Sequence, residues 1–125
     1  MVQTQPIRDN KTFAADLERR TLLFAVDIVR LSGMLPKTQE AGVLRTQLTK
    51  AATSIGANYR EANRARSRAD VRSRINICQS EASETQYWLE IIREMKWLAQ
   101  KKMDVIYLEA SELLALFTSI GKGLS

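Results

Sequence analysis

Four segments of this 125-residue chain carry mostly apolar residues at alternating spacings of four and three, and no segment alternates apolar and polar residues long enough to make a strand. That spacing keeps side chains on one stripe of a helix. In the first segment, from about Lys11 to Leu35, the stripe is Leu17, Thr21, Phe24, Ile28, Leu31 and Leu35. Gly33 weakens the last turn, and Pro36 stops the helix because it has no N–H to donate and biases residue 35 away from helix. The second stripe is Leu44, Leu48, Ala51, Ile55, Asn58 and Ala62, with Thr38 as the expected cap. Gly56 lies off this stripe. A mid-helix glycine costs about 1 kcal/mol relative to Ala, so a packing reason is expected there.

Ser67, with Asp70 three residues on, reads as the cap of a third helix from about Arg68 to Gln100. Its main stripe is Val71, Ile75, Cys78, Ala82, Thr85, Leu89 and Ile92. A second stripe runs alongside through Ile77, Glu81, Glu84, Trp88, Ile91, Met95 and Leu98. Asp104 is the expected cap of a fourth helix with Ile106, Ala110, Leu113, Phe117, Ile120 and Leu124 on its stripe, fraying at Gly121 and Gly123. Four amphipathic helices with short connections predict an all-α fold, an antiparallel up-down four-helix bundle over residues 11–125. Residues 1–10 are expected to be a mobile tail. The run LLFAV (Leu22 to Val26) and the doubled stripe of the third helix exceed what one bundle buries, and so point to subunit contacts.

Composition narrows the chemistry. The chain has no His, which excludes Ser-His-Asp and Cys-His triads and His-containing zinc sites. Its single Cys78 excludes an internal disulfide and any multi-Cys metal site. Cys78 falls on an apolar stripe with no activating neighbour, so a buried, inert thiol is expected. The opening MVQTQPIRDN is polar with no apolar h-region, and LLFAV is far shorter than the ~18–20 residues of a membrane helix, so a cytoplasmic protein without membrane contact is expected.

The net charge of +5 is uneven. Residues 30–80 hold ten basic and three acidic groups, whereas residues 81–125 hold five basic and seven acidic ones. Arg60, Arg64, Arg66, Arg68, Arg72 and Arg74 fall within fifteen residues around the second inter-helix turn, with Lys50 and Arg45 further off. Such a cluster suits nucleic-acid phosphates, through counterion release and bidentate contacts. It equally suits a solvated basic face, or arginines paired with acids on this or a neighbouring subunit. There is no helix-turn-helix spacing, zinc knuckle or stacking-aromatic motif, so any nucleic acid would be read by backbone and shape.

Polar residues also fall at seam spacing. Ser54, Asn58 and Glu61 follow one another on the second helix, and Glu81 and Glu84 on the third. One reading converges Glu61, Glu81 and Glu84 on a metal or on acid–base work, but carboxylate di-iron bundles need Glu-x-x-His motifs. The preferred reading is a structural polar network, with Glu81 or Glu84 accepting from Ser54 and Asn58 or pairing with Arg74, and with assembly fixed by the polar seam. Tyr87, Trp88 and Trp97 are expected to anchor core or interface.

The runs SIGANYREANRARSRAD (Ser54 to Asp70) and INICQSEASETQYWLEII (Ile75 to Ile92) carry a wider pattern. Its positions are Ser54, Ile55, Asn58, Glu61, Ala62, Arg66, Ser67 and Asp70, then Ile77, Glu81, Ala82, Glu84, Thr85, Tyr87, Trp88 and Leu89. Glu109, Ala110, Glu112, Leu113, Ser119 and Ile120 extend it into the last helix. Over roughly residues 13–121 the chain resembles the four-helix-bundle family encoded in 23S rRNA intervening sequences, which includes relatives of the accessory variability determinant of diversity-generating retroelements. It departs at Val71, where an aromatic is common, and at Gln79-Ser80, where small or basic residues are common.

The resemblance implies a barrel-like homopentamer with a central pore, no cofactor and no established enzymatic activity. In the retroelement branch it implies binding to nucleic acid and to a reverse transcriptase; the central motif is closer to the intervening-sequence branch. The expectation is therefore a non-enzymatic homo-oligomer that contacts RNA or DNA phosphates through the six arginines. The alternative is a structural adaptor for a protein partner such as a polymerase.

Overall fold

The computed structural model describes residues 6–125, with side chains from residue 10 onward. Four helices follow one another: α1 (Pro6–Ser32), α2 (Gln39–Arg64), α3 (Arg68–Met95) and α4 (Gln100–Leu124). Each packs on the next in sequence, α1 and α4 close the circuit over far fewer residues, and the diagonal pairs have no close backbone approach. This is the pattern of an up-down bundle. The expected tail falls partly on residues 1–5, outside the described residues, and partly on residues 6–10, which α1 includes.

The caps act as the sequence suggests at two of three places. Thr38 accepts from the Ala41 N–H and Ser67 from the Asp70 N–H, each satisfying an orphan donor of a first turn. Asp104, expected to cap the fourth helix, instead lies inside α4, which begins at Gln100 after Ala99 with no side-chain cap. The third helix ends at Met95, five residues short of the expected Gln100, because Lys96 adopts the left-handed conformation (φ 56°) and turns the chain. Trp97 and Leu98 then pack against the core from the turn. α1 stops at Ser32, yet Leu35 remains buried in the turn that follows.

The four stripes form the core. Leu17, Phe24, Ile28, Leu48, Ile55, Ile75, Leu89, Ile92, Leu113 and Phe117 are all buried, joined by Met103, which the spacing did not single out. The rings of Tyr59 and Phe117 meet edge to face at 5.4 Å, bridging the diagonal between α2 and α4. Buried hydroxyls spend their protons locally. Thr21 Oγ1 lies 3.0 Å from the carbonyls of Leu17 and Glu18, and Thr85 Oγ1 donates to the Glu81 carbonyl at 2.7 Å. Among the described residues no buried side-chain nitrogen or oxygen lacks a partner.

Gly56 has the packing reason expected of it. A Cβ there would lie 2.9 Å from Thr21 Oγ1 and 3.1 Å from Thr21 Cβ, so glycine lets α2 close on α1. Gly56→Ala gains about 1 kcal/mol of helix propensity but overpacks by about 1–3 kcal/mol, so a net loss of roughly 1 kcal/mol is expected in urea unfolding. In a Thr21→Ala background the same substitution should cost less; an equal cost in both backgrounds would contradict the contact. Gly121 does not fray α4, which runs on to Leu124. A Cβ at Gly121 would meet Gln79 Oε1 at 2.8 Å, so this glycine also marks a close approach, of α4 to α3.

Candidate nucleic-acid interface

The turn between α2 and α3 gathers the arginines at one end of the bundle, beside the C-terminus of α4. Their engagements differ. Arg68 donates to the Gly123 carbonyl at 3.1 Å, a cation at the negative end of α4. Arg74 donates to Asn58 Oδ1 at 2.9 Å, joining α3 to α2. Arg60 lies 3.8 Å from Glu18, a loose and half-exposed pair. Arg64, Arg66 and Arg72 are exposed and make no ion pair among the described residues. The cluster thus divides into three arginines with fold partners and three that face water. Lys50 is exposed on α2, and Arg45 donates to the Pro36 carbonyl at 3.3 Å, away from this end.

A polar hollow of about 550 Å³ opens beside the turn, lined in part by Arg64, Arg66 and Arg74 with Glu61, Asp70 and Ser73. Ser73 and Asp70 were not singled out as site residues; their place is set by α3 starting at Arg68, which turns both toward the arginines. Glu61 is exposed at this hollow.

The remaining polar seam residues are satisfied differently from the expectation. Asn58 Nδ2 donates to the Ser54 carbonyl at 2.9 Å, and Ser54 Oγ to the Lys50 carbonyl at 2.7 Å. Asn58 therefore spends its donor on its own helix and its acceptor on Arg74. No hydrogen bond joins Ser54 or Asn58 to Glu81 or Glu84 among the described residues; Glu84 accepts from Trp88 Nε1 at 3.1 Å. Burial, then the neighbouring Glu84, holds the Glu81 carboxyl above the usual carboxylate range, partly offset by Lys50. Among the described residues no group of three or more His, Cys, Asp or Glu is placed to hold a metal ion.

Cys78 is fully buried and lies 3.4 Å from the Ile55 carbonyl. Burial pushes its thiol up to about 12, so the thiolate is absent at neutral pH. A thiol-specific disulfide reagent is expected to leave the folded protein unlabelled and to titrate one thiol per chain after unfolding. Rapid labelling under native conditions would contradict this placement.

A pairing that helical spacing did not reveal ties α1 to α4. Arg20 binds Glu109 through two bonds of 2.7 Å and Glu112 through one of 2.6 Å. These bonds, Glu109 first, raise the guanidinium pKa further. The partners are 89 and 92 residues apart, so no local pattern announces them.

The 23S rRNA-intervening sequence protein family matches residues 16–119, most of the chain and parts of all four helices. The chain belongs to that family. A solved relative from Bacteroides thetaiotaomicron, described as a protein of unknown function from the S23 ribosomal protein family, superposes with a TM-score of 0.78 at 39% identity. The match covers 84% of this chain and 97% of that one. No curated protein matches. Within this intervening-sequence family match lie all six arginines of the cluster and, on α3, Glu81 and Glu84. Among the described residues no helix is long and apolar enough to cross a membrane.

Proposed function

We propose that this intervening-sequence family member is a non-enzymatic, cytoplasmic protein that assembles with itself as a homopentamer and holds the phosphate backbone of RNA or DNA at its arginine-bearing end. The observation that carries the reading is the trio Arg64, Arg66 and Arg72, exposed together at one turn with no ion pair among the described residues. Each such guanidinium replaces condensed counterions on a phosphate, an attraction that weakens as salt rises. Pentameric assembly draws support from the family resemblance and from exposed Tyr87, Met95, Val105 and Leu108.

Fluorescence anisotropy with a structured RNA is expected to show binding at ~50 mM salt that weakens steadily toward ~200 mM. Absence of binding at the lower salt would overturn the nucleic-acid reading. Sedimentation at micromolar concentration is expected to give five times the chain mass of 14.2 kDa; monomers alone would overturn the assembly reading. The exposed apolar residues also favour a second reading, an adaptor that binds a protein partner without nucleic acid. A partner retained through nuclease treatment and high salt would support it.

A further inference from the structure

The hollow beside the α2–α3 turn is not lined by cations alone. Arg64, Arg66 and Arg74 share it with two carboxylates, Glu61 and Asp70, and half-buried Ala65 and Ile77 supply an apolar part of its lining. Its volume of about 550 Å³ lies in the range of small-ligand sites and is enough for one nucleotide. Arg74, bonded to Asn58, ties the α3 side of the hollow to α2. A phosphate accounts for the arginines but not for the carboxylates, which repel it.

The two carboxylates stand differently in the fold. Asp70 lies in the first turn of α3, where the positive end of the helix favours an acid. Glu61 lies in the last turn of α2, where the negative end disfavours one. Glu61 is exposed and makes no ion pair among the described residues, although three arginines line the same hollow. An ionised carboxylate only accepts hydrogen bonds. A ligand that suits the whole hollow therefore carries a phosphate for the arginines and N–H donors for Glu61.

We propose that the hollow holds one unpaired guanine nucleotide of a nucleic-acid strand, its base edge donating to Glu61 and its phosphate held by Arg64 and Arg66. This contact rests on the nucleic-acid reading above and adds a base to the backbone. Guanine alone presents two donors side by side, N1–H and the 2-amine, which match the two oxygens of one carboxylate. Adenine and cytosine each present one amine beside a ring acceptor, and that acceptor faces the second oxygen unfavourably. Uracil presents one N–H between two carbonyls. In a duplex this edge is already paired, so the base has to come from a single-stranded segment, where bases are open on that edge. Ala65 and Ile77 offer apolar contact to the face of the base.

The test measures anisotropy with short single-stranded RNAs that differ only in one central base: guanine, hypoxanthine, adenine or uracil. The full chain is expected to bind the guanine strand about tenfold more tightly than the adenine and uracil strands, the discrimination of one bidentate base contact. Hypoxanthine, which lacks the 2-amine, should fall between. Glu61→Gln removes a negative charge, so affinity for every strand should rise, yet the guanine preference should shrink to within about twofold. Glu94→Gln removes the same charge from an exposed glutamate in the last turn of α3, at the other end of the bundle, and should keep the preference. Circular dichroism checks that both variants fold. A guanine preference that survives Glu61→Gln overturns the role of Glu61. Equal binding of all strands by the unaltered protein overturns the base contact and leaves the backbone reading standing. No binding of any strand at ~50 mM salt overturns both.

Discussion

Phe117→Ala is expected to remove about 3–5 kcal/mol of stability, the range for truncating a buried aromatic. Phe117 is fully buried on α4, and its ring meets Tyr59 of α2 edge to face. The substitution therefore loses transfer energy, leaves a cavity at the bundle centre and strips a contact that spans the diagonal. The edge-to-face geometry alone contributes about 0.5–1.5 kcal/mol. A domain of this kind has about 5–15 kcal/mol in total, so the variant should unfold at much lower urea. The comparison belongs at one fixed protein concentration, since self-association would otherwise enter the apparent stability. A loss below about 1 kcal/mol would contradict a core in which this ring is fully packed.

The second large effect concerns binding. Arg64→Gln, Arg66→Gln and Arg72→Gln together are expected to lower RNA affinity by ~10²–10³-fold at ~0.1 M salt, since each neutralised phosphate contributes nearly one decade there. Stability should hardly change, because none of the three makes an ion pair among the described residues and all are exposed. Lys37→Gln, in the α1–α2 turn at the other end of the bundle, should leave affinity near that of the unaltered protein. Equal losses in the two variants would mean that overall charge, rather than the arginine end, attracts the nucleic acid.

The helices were readable because each depends on side chains a few residues apart. The four stripes, the Thr38 and Ser67 caps and the stop at Pro36 are all local physics. The junction of α3 and α4 was not readable. No Gly, Pro or capping side chain marks it; Lys96 takes a left-handed conformation that its side chain does not favour, held by the packing of Trp97 and Leu98. Asp104 looked like a cap because an acid before an apolar run usually is one, yet it sits in the second turn of α4, 4.0 Å from Arg93.

The arginine cluster was visible as a density of charge, but its division was not. Arg68 finds its acceptor at Gly123 and Arg74 finds Asn58, 55 and 16 residues away. Only folding separates those two, and the loosely paired Arg60, from Arg64, Arg66 and Arg72. The same holds for the glutamates. Ser54 and Asn58 donate to carbonyls of their own helix, Asn58 accepts from Arg74 and Glu84 accepts from Trp88, so the expected bonds from Ser54 and Asn58 to the glutamates do not form.

The most direct test of the central claim is the slope of log affinity for a structured RNA against log salt, measured for the unaltered protein and for the triple arginine variant. Loss of three phosphate contacts should reduce the slope's magnitude by about 2–3. A slope unchanged by removing Arg64, Arg66 and Arg72 would show that these arginines do not hold the backbone.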